Sequence, residues 1–159
     1  MSRENEVFYW LPCSVIFIST AHEHKRDIMT ATAMFVSEKE PLILISVARG
    51  HLTEKLIDQS GKFTLVIAGE SHKELAVQVG SLKGEGVDKF EHFGIHTLTA
   101  GESNALIPEG AAAWMACNVE STQDIKGYRL FIGRVADQAD LGTPPLVWQK
   151  DAFFSLKPT

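Results

Sequence analysis

Two stretches, seventeen residues apart start to start, carry the residue types suited to binding chemistry: Met29-Thr30-Ala31-Thr32-Ala33-Met34 and Ser46-Val47-Ala48-Arg49-Gly50-His51-Leu52-Thr53. The first offers small and hydroxyl side chains in a β-prone context, so its backbone can lie against a flat ligand. The second is an apolar strand, then a hydroxyl and a guanidinium, then Gly and Thr opening a predicted helix, which suits a phosphate. Together they describe a seat for a planar aromatic group with a phosphate tail, and flavin mononucleotide (FMN) is such a molecule. Each stretch has a plainer alternative. Thr-Ala alternation is also an ordinary two-sided strand, and Ser, Arg and Thr are common where a strand runs into a capped helix.

Other residues invite chemistry with less support. His22-Glu23-His24 falls in a predicted turn, and His92 and His96 have Gly94 between them and no third ligand in register, so no metal site is expected. Cys13 and Cys117 each sit in an apolar run and read as free thiols of the core, with no basic neighbour to activate Cys117. Gly80-Ser81-Leu82-Lys83-Gly84-Glu85-Gly86 lacks the Gly-Lys-Ser/Thr order of a phosphate-binding loop and reads as a flexible surface loop, with a lid over the site as the alternative.

The elements that must position these residues are mostly strands. Ser14 to Thr20 is β-branched and aromatic, His22 to Arg26 is turn-like, and Met29 to Val36 reads as one further strand. Leu42 to Val47 is too continuously apolar for a one-faced strand, which places it centrally in a barrel or sandwich. Thr53 is positioned to cap a helix to about Ser60, which Gly61 ends. Phe63 to Ile67 returns to strand, and Ser71-His72-Lys73-Glu74 predicts a capping-box start for a helix to about Val79. Asp88-Lys89-Phe90 opens a short helix or turn, and His92 to Glu109 shows no period and reads as irregular. Trp114 to Glu120 and Tyr128 to Val135 read as antiparallel strands, and Leu146-Val147-Trp148-Gln149 with Phe153 to Leu156 as a last hairpin. The order implies an α+β, mainly β fold on a small barrel.

Composition bounds these readings. At 159 residues and 45% hydrophobic, the chain supports one domain with its own core, spanning 1–159. A net charge of −5 with scattered Lys and Arg argues against nucleic-acid binding. No segment reaches membrane-spanning length. The apolar stretch Val7 to Ile18 has Glu4 and Glu6 where a signal peptide needs basic residues, and Pro12 interrupts it, so a cytoplasmic location is expected.

With these elements in order, the chain resembles the flavin reductase family of the FMN-binding split barrel from about Pro12 to Leu156. The likeness rests on Met29-Thr30-Ala31-Thr32-Ala33, Pro41-Leu42 leading into Ile45-Ser46-Val47, Thr53 to Phe63, Asp88-Lys89-Phe90, Glu109-Gly110-Ala111 with Trp114 and Cys117, Leu130 to Val135, and Pro145 to Trp148. The resemblance implies a split β-barrel of Greek-key-like antiparallel strands with a few flanking helices, holding FMN, or alternatively FAD, with NADH or NADPH as electron donor. It implies that Thr30, Ala31, Thr32 and Ala33 lie against the ring and ribityl chain. Ser46, Val47, Ala48, Arg49 and Thr53 would hold the phosphate, and Lys89 and Phe90 the nearby loop. Trp148 matches an aromatic contact commonly added by a second subunit. A homodimer with the flavin near its interface is implied, passing electrons to free flavin, a monooxygenase or another acceptor. Tyr128 stands where many such reductases carry histidine, Gln149 follows Trp148 where Tyr-His is frequent, and Asp27-Ile28 replaces a common Asn. Tyrosine does not serve as a near-neutral acid or base. Tyr128 and Trp148 are therefore candidates for shaping the nicotinamide side, with no catalytic acid or base assigned. A non-enzymatic FMN-binding electron carrier is the alternative function.

Overall fold

The computed structural model describes residues 7–100 and 105–159. Glu4 and Glu6 lie outside the described residues, as does part of the His92 to Glu109 segment. In chain order the elements are β1 (Cys13–Ser14), β2 (Ile16–His22), β3 (Lys25–Ala31), β4 (Ala33–Phe35), β5 (Leu42–Ala48), α1 (Leu52–Ser60), β6 (Lys62–Ile67), α2 (Lys73–Ser81), α3 (Lys89–His92), β7 (Thr97–Ala100), β8 (Ala105–Pro108), β9 (Ala113–Ile125), β10 (Tyr128–Asp140), β11 (Leu146–Gln149) and β12 (Ala152–Ser155). Short 3-10 turns occupy Val7–Trp10 and Glu70–His72.

Seven strands form one antiparallel sheet in the order β3-β2-β6-β9-β10-β5-β4. Its two edge strands, β3 and β4, are separated in sequence by Thr32 alone. Laid flat, seven strands would hold these edges about 29 Å apart, whereas one residue spans about 3.5 Å. The sheet therefore curls until its edges meet, giving the expected split barrel. Met29 to Val36 is accordingly two strands on opposite edges and not the single strand expected. β1, β11 and β12 form a second sheet beside the seam, and β7 pairs with β8.

Both faces of the large sheet are covered, which is why Ile16, Phe17 and Ile18 are buried in succession. Inside the barrel, Ile57 of α1 packs with Ile18, Ile45, Val47, Phe63 and Phe131. Outside, Phe17, Ile28 and Val66 pack with Val79 of α2, Phe90 of α3 and Trp114. The barrel filling also explains Gly133. A Cβ there would stand 2.6 Å from the Phe63 ring.

The helix termini follow the sequence in part. Gly61 ends α1 in the left-handed conformation at φ 68°, its N–H donating to Ile57 O at 2.8 Å. The residue at the start is His51, however, and Thr53 lies inside the helix, where it is 1% exposed. α2 is preceded by the 3-10 turn in place of the expected Ser71–Glu74 capping box. The buried His72 ring accepts the Gly69 N–H at Nδ1 (3.2 Å), and its Nε2 lies 2.7 Å from Glu109 O. Within the segment expected to be irregular, Thr97–Ala100 and Ala105–Pro108 pair instead as β7 and β8, Thr97 opposite Pro108.

Candidate binding cleft

The seam of the barrel leaves backbone without strand partners. Among the described residues, β3 pairs only with β2, and β5 pairs with β4 only as far as Ile45 opposite Ala33. A cleft of about 460 Å³ opens there. Met29, Thr30, Ala31 and Thr32 form one wall, and Ser46, Ala48 and Tyr128 a second, because the β5–β10 register sets Tyr128 opposite Ala48. The small sheet supplies a third wall, with Trp148 paired to Cys13 on one side and to Phe153 on the other. Ala76 and Val77 of α2 also line the cleft.

Thr30 is locked in this wall. Its hydroxyl donates to Ala76 O at 2.6 Å, tying β3 to α2, and Gly80 packs close enough that a Cβ would lie 3.3 Å from Thr30 Cβ. Among the described residues, none that lines the cleft carries a formal charge. Volume and small side chains suit a flat, uncharged ring.

The structure thus brings Thr30, Ala31, Thr32, Ser46, Ala48, Tyr128 and Trp148 together, and Trp148 reaches the cleft of its own chain. Ala33, Val47, Arg49, Thr53, Lys89 and Phe90 do not line it. Ala33 packs against the barrel interior, where Val47 is wholly buried. Phe90 belongs to the outer core, with the Arg26 guanidinium over its ring at 4.8 Å.

Thr53 and Lys89 converge instead on Asp27. The Thr53 hydroxyl donates to Asp27 Oδ2 at 2.6 Å. Lys89 Nζ donates to Ile28 O at 2.8 Å and lies 3.3 Å from Asp27 Oδ1, which has no hydrogen-bond partner. All three side chains are at least nine-tenths buried. Gly84 closes the group, since a Cβ there would stand 2.5 Å from Asp27 Oδ1. That part of the glycine-rich loop is packed in place and is not a free surface loop.

Arg49 is engaged too. Its Nε meets Glu54 Oε1 at 2.6 Å, and its Nη1 meets Asp124 Oδ2 at 2.6 Å. Glu54 Oε2 accepts the Gly50 N–H at 2.6 Å, so an internal carboxylate occupies a backbone donor just ahead of α1. Arg129 binds Asp124 at 2.7 Å and also binds Asp58. Hydrogen bonds from Arg129, and then from Arg49, hold the Asp124 carboxyl below its ordinary range. The cleft has the volume and small lining side chains that a flat ring needs, and of the side chains expected at a phosphate Arg49 and Thr53 are engaged by carboxylates whereas Ser46 lines the cleft.

Met29, which opens the stretch expected against the ring, also lines the cleft, and Cys13, Ser14, Val15, Ala76, Val77 and Phe153 are lining residues that sequence reasoning did not assign. Only Phe153 carried a signal, because a two-residue hairpin at Lys150 and Asp151 sets it opposite Trp148. Cys117 is core, its thiol pushed up to about 12 by burial. Among the described residues, no three His, Cys, Asp or Glu side chains group as metal ligands, and no helix is long and apolar enough to cross a membrane.

Comparison with known proteins accords with this geometry. The chain is 30% identical over 131 residues to the Escherichia coli (strain K12) protein YddH, covering 80% of this chain and 69% of that one. Its fold matches the Streptomyces globisporus C-1027 NADH:FAD oxidoreductase SgcE6 with a TM-score of 0.86 at 19% identity, over 99% of this chain and 97% of the other. It also matches the styrene monooxygenase flavin reductase (SMOB) from Pseudomonas putida S12 with a TM-score of 0.80 at 21% identity, over 100% and 99% of the two chains. At such identities these likenesses establish the fold. The flavin reductase like domain matches residues 8–157, and with a split barrel open at its seam the chain belongs to that family.

Proposed function

We propose that the protein is a flavin-dependent oxidoreductase that takes electrons from NADH or NADPH and passes them to free flavin or to a protein acceptor such as a monooxygenase component. The observation that carries this reading is the uncharged cleft of about 460 Å³, walled by Thr30 to Thr32 along an unpaired strand edge. A flavin bound there supplies the hydride-accepting chemistry. The chain supplies placement. The Thr30–Ala76 hydrogen bond keeps β3 and α2 at fixed separation, so the wall against the ring is set before the ligand arrives. Tyr128 and Trp148 flank the opening, where they restrict the approach of a nicotinamide and limit water. Tyr128 replaces no proton donor that the reaction needs, because hydride transfer depends on contact and orientation more than on acid–base help. The names of two relatives support the same reading, one an NADH:FAD oxidoreductase and the other the flavin reductase of a styrene monooxygenase.

The dimer belongs to this proposal. β4 is a sheet edge, and Met34, Phe35 and Val36 on and after it are 60%, 61% and 45% exposed, an apolar edge suited to a second copy of the chain.

Mixing the purified protein with riboflavin, FMN or FAD and then adding NADH or NADPH without oxygen tests the function. Uptake of flavin followed by bleaching of its visible absorption is expected. Uptake without bleaching by either nucleotide would point to an electron carrier, and no uptake of any flavin would contradict the reading.

A further inference from the structure

We propose that Glu54 excludes the phosphate of a flavin from the β5–α1 junction, so that the chain recognises the flavin by its ring and gains little from the tail. The inference rests on the flavin reading of the cleft. At this junction a phosphate would require backbone N–H groups and an unengaged cation. Both are taken. Glu54, 4% exposed, accepts the Gly50 N–H through Oε2 and the Arg49 Nε through Oε1, each at 2.6 Å. Arg49, the residue directly after Ala48 on the cleft wall, gives its other end to Asp124.

The neighbouring guanidinium is engaged as well. Arg129 is held by Asp58 and by Asp124, with its Nε 3.8 Å from Glu54. The junction therefore sets two guanidinium groups against three carboxylates, one negative charge in excess. Lys89 is sequestered on Asp27 and Ile28, and the described residues of the cleft lining are uncharged. A phosphate, doubly or nearly doubly negative at neutral pH, meets repulsion here in place of a cradle. Glu54 acts on the ligand through Arg49 and Gly50 and so is a positioning residue for specificity.

The test compares dissociation constants of riboflavin and FMN by quenching of flavin fluorescence, in low and high salt. For the wild-type chain, FMN should bind no more than about threefold tighter than riboflavin, the equivalent of less than about 1 kcal/mol from the phosphate. Raising the salt should strengthen FMN binding relative to riboflavin, because it screens repulsion. In Glu54→Gln, FMN should gain about tenfold over riboflavin, with riboflavin affinity unchanged, as expected from removing a like charge. FMN binding more than about threefold tighter than riboflavin in the wild-type chain would overturn the inference. An unmoved FMN-to-riboflavin ratio in a folded Glu54→Gln variant would remove Glu54 from it. Failure of both flavins to bind would instead overturn the flavin reading, and this inference with it.

Discussion

Asp27 is the residue on which most local order converges. It anchors β3 to α1 through the Thr53 hydroxyl, and to α3 through Lys89, and it takes the backbone of Gly84 against its carboxylate. A buried charge is tolerable only with such partners, and removing one leaves the other stranded. Asp27→Ala should therefore lower unfolding stability by about 3–5 kcal/mol, read from urea denaturation, because Lys89 is left buried and unpaired. A loss below about 1 kcal/mol would mean that the pair is no more than a solvated surface contact. The same residues show how one side chain can be misjudged from sequence. Thr53 has the type and place of a helix cap, and Lys89 that of a ligand contact, yet both are drawn inward by a carboxylate 26 and 62 positions earlier. Nothing near either residue signals that pull.

At the scale of elements, the legible parts were those set by local pattern. The apolar run Leu42 to Val47 is strand β5, Gly61 ends α1, and the last hairpin turns at Lys150 and Asp151. Ser46, Ala48 and Tyr128 meet because β5 and β10 pair, both of which the pattern indicates. What escaped depends on contacts distant in sequence. Thr32 looks like the middle of a strand, and only closure of the barrel makes it the crossing between opposite edges. β9 and β10 run on to Ile125 and Asp140 through residues that are mostly polar and exposed, so hydrophobic period could not find their outer halves. The β7–β8 pair is four residues a side, too short for alternation to stand out. α2 forms part of the cleft wall through Ala76 and Val77, a role set by the Thr30 hydrogen bond and not by any motif on the helix.

For the whole molecule, the curl of the sheet creates the site and leaves a surface to cover. Because β3 and β4 end on opposite edges, the barrel carries an open seam, and the seam is the cleft. The apolar residues Met34 to Val36 lie at one edge, and pairing with a second copy would remove them from water. Sedimentation should give twice the monomer mass, and Phe35→Glu should shift the protein to monomer without unfolding it; a wild-type monomer at micromolar concentration would contradict this. The position of the ring itself tests the account most directly. Diffraction from crystals soaked with riboflavin should show the ring between the wall of Thr30 to Thr32 and the wall of Ser46 and Tyr128. A ring bound elsewhere, such as in the polar cleft beside Lys62 and Asn118, would contradict the account.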